Sequence, residues 1–204
     1  MRSNKELVEE LVRLGVVCSE SVKSAFLSVD RALFVPRSLQ ADAYLNRPLP
    51  IGEGQTISQP LTVALMLEDL SVEEGMRVLD VGCGSGYTTA LLSKLVGESG
   101  VVVGVELVEE LVRLGRSNLA AAGVSARIQR AGSFLGLPQE APFERVLVSA
   151  AARSVPEELV EQLVIDGLMV LPVRSSVLTL QRGEESYQVV RRRRGFRFVP
   201  LVEE

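Results

Sequence analysis

Three glycines at alternate positions, Gly82, Gly84 and Gly86, stand between a run of β-formers, Arg77 to Val81, and a helix-forming run, Thr88 to Val96. Strand, tight turn and helix in direct succession bring a backbone close to a bound ligand. Glycine reaches left-handed backbone conformations at little cost, and the first turn of a helix offers unpaired N–H groups. The dinucleotide fingerprint G-x-G-x-x-G would need a glycine where Tyr87 stands, so the spacing argues against a pyrophosphate. A second strand, Val101 to Val105, ends in Glu106, about twenty residues beyond the glycines, where a carboxylate can accept from ribose hydroxyls. Asp80 ends the first strand with a second carboxylate, which suits a ligand carrying ammonium and sulfonium charge better than one carrying phosphates. S-adenosylmethionine satisfies all three features. The candidate cofactor-binding residues are Asp80, Gly82, Cys83, Gly84, Ser85, Gly86 and Glu106. Cys83 reads as a small side chain that fits the turn rather than as a reactive thiol.

The composition limits the chemistry further. The chain has no histidine, so the commonest general base and metal ligand is absent and a reaction must proceed without an imidazole proton shuttle. Two cysteines, Cys18 and Cys83, are too few for a disulfide framework or a zinc site. At 204 residues and 47% hydrophobic content, one sizeable core and one domain are expected. No apolar run reaches the roughly eighteen residues of a membrane span. Met1 to Glu10 is charged rather than signal-like, so the expectation is a cytoplasmic protein with no membrane partner. A net charge of −4 weighs against wholesale nucleic-acid binding.

The elements that must position these residues follow from periodicity. Lys5 to Leu14 repeats leucine and valine at helical spacing, with Gly15 as its C-cap, and a second helix covers about Ser21 to Val29. Residues 6–15 recur identically at 106–115, but the flanks differ, so a shared amphipathic taste explains the match better than an internal repeat. Residues 37–60 are rich in proline, glycine and hydroxyls, and neither helix nor strand is expected to run through them. Long ordered loops of this kind are commonly functional. Ser58 before Pro60 also reads as the cap of a helix from Pro60 to Leu70.

From Met76 the pattern alternates. Strands are expected at 77–81, 101–105, 126–129, 145–149 and 168–172, with helices at 87–96, 107–122 and 156–164. This is the pattern of an α/β fold: a doubly wound, Rossmann-like parallel sheet with helices on both faces and ligand at the carboxyl ends of the strands. Val177 to Gln181, Ser186 to Val190 and Phe196 to Val199 read as antiparallel strands closing the edge. The single domain, 1–204, divides into N-terminal helices and loop (1–75), an α/β core (76–172) and C-terminal strands (173–204). Arg191 to Arg194, with Arg197, reads first as a solvated face that blocks edge pairing and second as a surface for an anionic partner such as RNA.

Several segments together carry a family resemblance. They are Arg31-Ala32-Leu33-Phe34-Val35-Pro36, Ala43-Tyr44, Pro48-Leu49-Pro50-Ile51-Gly52, Gly54-Gln55-Thr56-Ile57-Ser58-Gln59-Pro60, the glycine turn, Ala141-Pro142-Phe143, Ala150-Ala151-Ala152 with Val155-Pro156, and Phe198-Val199-Pro200-Leu201. From about residue 20 to 202 the chain resembles protein-L-isoaspartate O-methyltransferases, a likeness whose specific part is the Gly-Gln-Thr-Ile-Ser loop. The resemblance implies transfer of a methyl group from S-adenosylmethionine to the carboxylate of an L-isoaspartyl residue in an aged or damaged protein, a repair reaction. It also implies an active-site role for Ser58, with Thr56, Ile57, Ala151 and Val155 around the substrate. Where the family usually reads Gly-Asp-Gly, its aspartate accepting from the adenine amino group, this chain has Ala131-Gly132-Ser133, which makes Gly132 and Ser133 the adenine-side candidates. Asn46 and Arg174 depart from a usual aspartate and glycine. A methyltransferase acting on another acceptor, a specialised peptide carboxylate or RNA, and a cofactor-binding homologue without repair activity are the alternatives.

Overall fold

The computed structural model describes residues 2–202, so that Met1, Glu203 and Glu204 of the expected 1–204 span lie outside the described residues. The chain opens with α1 (Asn4–Arg13) and α2 (Glu20–Ser28), passes through 3-10 turns at Arg31–Phe34 and Arg37–Asp42, and forms a small hairpin from β1 (Leu49–Gly52) and β2 (Gln55–Ile57) before α3 (Pro60–Leu70). Then follow β3 (Arg77–Val81), α4 (Tyr87–Val96), β4 (Val101–Glu106), α5 (Glu109–Ala121), β5 (Arg127–Arg130), β6 (Phe143–Val148), α6 (Glu157–Val160), β7 (Leu163–Val173), β8 (Ser176–Arg182) and β9 (Tyr187–Arg194). The main sheet has the order β5-β4-β3-β6-β7-β8-β9. Its strands are parallel from β5 to β7, and β8 and β9 are added antiparallel. From β3 the chain winds outward through β4 and β5, then returns to place β6 on the other side of β3. Ligands of such sheets collect at the carboxyl ends beside this reversal.

Alternation along each strand builds two cores. Val78, Val102, Leu147 and Val170 face the helices α1 to α5, whereas Leu79, Val81, Val103, Val146 and Met169 face the opposite side. The second face has a thinner cover, made by α6 and by the segment around Leu135, Leu137 and Ala141.

Three expectations need correction. Residues 37–60 do contain strands, because Gly52, Glu53 and Gly54 adopt φ values of 99°, 52° and 71°, which turn the chain tightly enough to pair Leu49 with Ile57. Pro50 is tolerated because the sheet is only two strands wide and offers it an edge. The helix expected at 156–164 stops at Val160. The β-branched residues Val164 and Ile165 join β7 instead, which continues past an irregularity where Asp166 takes φ 62°. Phe196 to Val199 forms no strand of the hairpin. Gly195 (φ 91°) turns the chain away from β9, and Val199 to Leu201 bonds to both sides of Ala151.

Two of the departures from the family pattern also find their physical setting. The Asn46 side-chain oxygen accepts from the Leu61 N–H (3.0 Å) at the start of α3, a role the neutral amide fills as an acceptor. Arg174 occupies the β7–β8 turn with φ 55°, a conformation glycine reaches without strain.

Candidate active site

A cavity of about 770 Å³ opens at the carboxyl ends of β3, β4 and β6. Its floor is the glycine turn. The N–H groups of Gly82 and Cys83 donate to the Val105 carbonyl (2.9 and 3.2 Å), and the Gly86 N–H donates to the Cys83 carbonyl (2.9 Å), which locks the turn onto the end of β4. Glu106 secures the same turn from the side. Its Oε2 accepts from the Gly84 N–H (2.9 Å), while Oε1 accepts from the N–H groups of Leu107 (2.8 Å) and Val108 (3.1 Å) at the start of α5. The carboxylate thus stands oriented on the cavity wall with lone pairs left for ribose hydroxyls.

Of the expected cofactor residues, Gly82, Cys83, Gly84, Ser85, Glu106, Gly132 and Ser133 line this cavity. Asp80 lies beneath the turn without surface, where Oδ2 accepts from the hydroxyls of Thr88 (2.6 Å) and Thr89 (2.7 Å) and Oδ1 has no partner. Burial pushes its carboxyl up to about 6, against the pull of the two hydroxyls. Its visible work is to brace the first turn of α4. Gly86 faces away from the cavity: a Cβ there would meet Ile128 Cδ1 at 3.0 Å and the Gly115 carbonyl at 3.3 Å, so this glycine seats the turn on α5. The Cys83 side chain is buried toward Gly104, and burial pushes its thiol well up, as befits a packing residue.

A second wall comes from the β1–β2 hairpin and the residues after it, with Ile51, Thr56, Ile57 and Ser58 all on the cavity. Ser58 does not cap α3. Gln59 holds the N-cap position, and the side chain serving the helix start is Asn46. Among the described residues the Ser58 hydroxyl has no hydrogen-bond partner, which leaves it available to a ligand. Ala151 and Val155 do not line the cavity. The backbone of Ala151 is held by Val199 and Leu201, Val155 packs into the second core, and their neighbours Ala150, Ser154 and Pro156 face the cavity instead.

Sequence reasoning missed Leu107, Phe134 and the tail from Val199 to Val202 as lining. Phe134 is 71% exposed at the rim. An apolar residue directly after Glu106, and another directly after Ser133, were the available signals, since each extends a wall already placed at the ligand. Beyond the cavity, Asp69 on α3 accepts from Arg191 Nη1 (2.8 Å) and from Arg193 Nε (2.6 Å) and Nη2 (2.8 Å). Half of the arginine run is therefore tied to the fold, and Arg192 and Arg194 are exposed.

The cavity suits S-adenosylmethionine chemically. Its charged lining consists of Glu106, Glu157, Glu158 and Glu161, with no lysine or arginine among the described residues, as an ammonium and a sulfonium require. At Gly132 a Cβ would meet nothing within 4 Å, so the cavity is roomy at this position.

Residues 2–204 match the family described as Protein-L-isoaspartate(D-aspartate) O-methyltransferase (PCMT). The protein-L-isoaspartate O-methyltransferase of Methanopyrus kandleri is 44% identical over 209 residues, covering 100% of this chain and 92% of that protein. The one from Thermococcus onnurineus is also 44% identical, covering 97% of this chain and 92% of its own. A Plasmodium falciparum protein described as a putative protein-L-isoaspartate O-methyltransferase, solved in complex with S-adenosyl-L-homocysteine, superimposes with a TM-score of 0.88 at 25% identity, covering 100% of both chains. With likeness running the length of the sequence and of the fold, the chain belongs to the protein-L-isoaspartate O-methyltransferase family.

Proposed function

We propose that this chain methylates the free carboxylate of L-isoaspartyl residues in damaged proteins, using S-adenosylmethionine as donor. The observation that carries this reading is the meeting of two segments at one cavity: the glycine turn with Glu106, and the Thr56-Ile57-Ser58 segment with an unengaged hydroxyl. When bound, the cofactor supplies an electrophilic methyl on a sulfonium. An acceptor carboxylate ordinarily titrates near pH ~3.9 and is already an ionised nucleophile at neutral pH, which accounts for a cavity without histidine. The protein's part is to bind, orient and exclude water. Ser58 donates its hydroxyl to the acceptor carboxylate and holds it in line. Thr56 and Ile57 shape the same wall, and the tail segment Val199 to Val202 lines the same cavity. Gly132 and Ser133 border the adenine, with the Ser133 hydroxyl as an acceptor for the amino group that the family's aspartate serves elsewhere. The partners are aged proteins and peptides, and the setting is the cytoplasm. Among the described residues no helix is long and apolar enough to cross a membrane.

The test is incorporation of labelled methyl from S-adenosylmethionine into a matched pair of peptides, one isoaspartyl and one normal aspartyl. Label in the isoaspartyl peptide alone is expected. Ser58→Ala should lower kcat/KM on that peptide roughly tenfold to a hundredfold, the worth of one orienting hydrogen bond of about 1–3 kcal/mol, with S-adenosylhomocysteine affinity preserved. Equal labelling of both peptides would sink the repair reading, and a Ser58→Ala rate within twofold of the parent would remove the serine from it.

A further inference from the structure

Among the described residues, Arg31 and Asp80 are the charged residues with no exposed surface, and only Asp80 is accounted for by the glycine turn. Arg31 opens the 3-10 turn Arg31–Phe34, and among the described residues no carboxylate pairs with it. Neighbouring Asp30 is engaged elsewhere, accepting from the Ala32 N–H (3.0 Å) and the Tyr44 hydroxyl (2.8 Å). A buried cation without a counter-ion is costly, and burial pulls this guanidinium down to about 10. Such a group persists where its geometry does something a neutral side chain would not.

What it holds is specific. Arg31 Nε donates to the Ala43 carbonyl (3.0 Å), and Nη2 donates to the Ser58 carbonyl (2.9 Å), with a longer contact to the Arg47 carbonyl (3.5 Å). All three acceptors belong to the segment that carries the Ser58 wall. The guanidinium carbon lies 5.1 Å from the centroid of the Tyr87 ring, which is itself wedged against Phe34 (5.4 Å between centroids) and Phe26 (6.3 Å). Tyr87 is the first residue of α4, directly after Gly86. One side chain therefore touches the backbone of the acceptor wall on one side and the end of the cofactor turn on the other.

We propose that Arg31 is a positioning residue for methyl transfer: a rigid strut between Ser58 and Tyr87 that sets the separation of the acceptor carboxylate from the methyl donor. This rests on the reading of Ser58 given above. The planar fork matters because two donors diverge to two carbonyls while the guanidinium carbon lies over the ring. A lysine keeps the charge but presents one tetrahedral head, which cannot satisfy Ala43, Ser58 and the ring together. Because the transfer depends on alignment, a small slackening of the strut lowers the rate without loosening the cofactor, whose contacts lie on the turn and Glu106.

The experiment is a double-mutant cycle of Arg31→Lys and Ser58→Ala, read as kcat and KM on an isoaspartyl peptide and as S-adenosylhomocysteine affinity by calorimetry. Arg31→Lys is expected to lower kcat/KM about tenfold, mainly in kcat, with S-adenosylhomocysteine affinity within about twofold of the parent. In the Ser58→Ala background the same substitution should cost clearly less, because the two residues act on one alignment. If Arg31→Lys misfolds, Arg31→Gln, which removes the buried charge and keeps a single amide NH2 as donor group, carries the same measurements. The proposal is overturned by a kcat/KM within twofold of the parent, by independent multiplication of the two losses, or by a parallel fall in cofactor affinity. It is equally overturned if neither variant folds, which would assign Arg31 to the fold itself. Should Ser58→Ala alone leave the rate intact while Arg31→Lys lowers it, the serine reading fails separately.

Discussion

Residues 6–15 and 106–115 share one sequence, Glu-Leu-Val-Glu-Glu-Leu-Val-Arg-Leu-Gly, and the molecule uses it in two ways. In the first copy Glu6 belongs to a capping box, accepting from the Ser3 N–H (2.8 Å), and the helix ends at Arg13 before Gly15 turns left-handed at φ 66°. In the second copy Glu106 ends a strand and lines the cavity, helix begins only at Glu109, and Gly115 lies inside it, pressed against the glycine turn. Burial changes as well. Leu7 has 0% exposure against 38% for Leu107, whereas Val12 is 40% exposed against 1% for Val112. Local propensity makes both copies willing to be helical. What precedes each, a serine cap or a buried strand, decides where helix starts and therefore which face meets the core.

The largest test of this comparison lies at the second position. Leu7→Ala should destabilise the protein by about 2–5 kcal/mol, the cost of a cavity in a packed core, and denaturant unfolding would read it. Leu107→Ala should change stability by roughly 0.5 kcal/mol or less, since a half-exposed side chain leaves no closed cavity, and should act on cofactor affinity instead. Equal destabilisation by both would mean that the two copies share a packing environment.

At the first position the split is between stability and function. Glu106→Ala removes the acceptor of three backbone N–H groups together with the carboxylate proposed to meet the ribose, so S-adenosylhomocysteine affinity should fall roughly tenfold to a hundredfold. The rate at saturating cofactor should change far less, because ribose contacts are alike in ground and transition states. Glu6→Ala should leave both untouched and lower stability slightly through the lost cap. An unchanged affinity in Glu106→Ala would show that the carboxylate serves the turn alone.

The glycines should separate more gently. A Cβ on Gly115 would lie 2.7 Å from Ile128 Cδ1 and 3.1 Å from the Gly84 carbonyl. Gly115→Ala should therefore weaken the cofactor several-fold by shifting the turn, while its stability cost of about 1–3 kcal/mol is partly offset by alanine's helix propensity of about 1 kcal/mol. Gly15→Ala meets nothing within 4 Å and should cost only about 1–2 kcal/mol of left-handed strain, with calorimetry showing unaltered binding.

The parallel sheet, the glycine turn and Glu106 were legible in sequence because each rests on short-range signals: β-branched runs, alternate glycines, and an acidic residue at a strand end. The decapeptide shows where such signals stop, since no local rule distinguishes Gly15 as a cap from Gly115 as a contact. The same limit explains the hairpin at 49–57, where three consecutive residues of positive φ build a turn inside a segment that composition marks as loop. It also explains Asp80, a carboxylate at the end of a strand like Glu106. It points down into the first turn of α4 rather than up into the cavity, and only the pleat of β3 against its neighbours decides which. Ala151 and Val155 were carried by family likeness, but Ala151 is held by a tail almost fifty residues later in the chain and Val155 packs into the second core.

The smallest expected effect joins Asp80 to the decapeptide through pH. In the folded protein its carboxyl is raised from 3.8 to about 6, first by burial, against the pull of Thr88 and Thr89, with the Glu106 charge adding to the rise. Between those values the native state binds more protons than the unfolded chain, so unfolding free energy falls as pH increases through the window. The total is on the order of 3 kcal/mol, fully lost above about pH 6. Glu6 has the opposite sign. Its hydrogen bonds to Ser3 hold its carboxyl below the ordinary value, so its contribution is present above that value and disappears on acidification. Two glutamates in one repeated sequence therefore tilt the pH profile in opposite directions, one directly and one through a neighbour. Glu106→Gln should flatten the decline from about pH 4 to about pH 6 relative to the parent, and Glu6→Gln should flatten the loss below about pH 4.5. Denaturant midpoints measured without cofactor from acid to neutral pH would resolve both. A Glu106→Gln profile parallel to the parent's would mean that its charge does not reach Asp80, leaving burial and the two threonines to set that group alone.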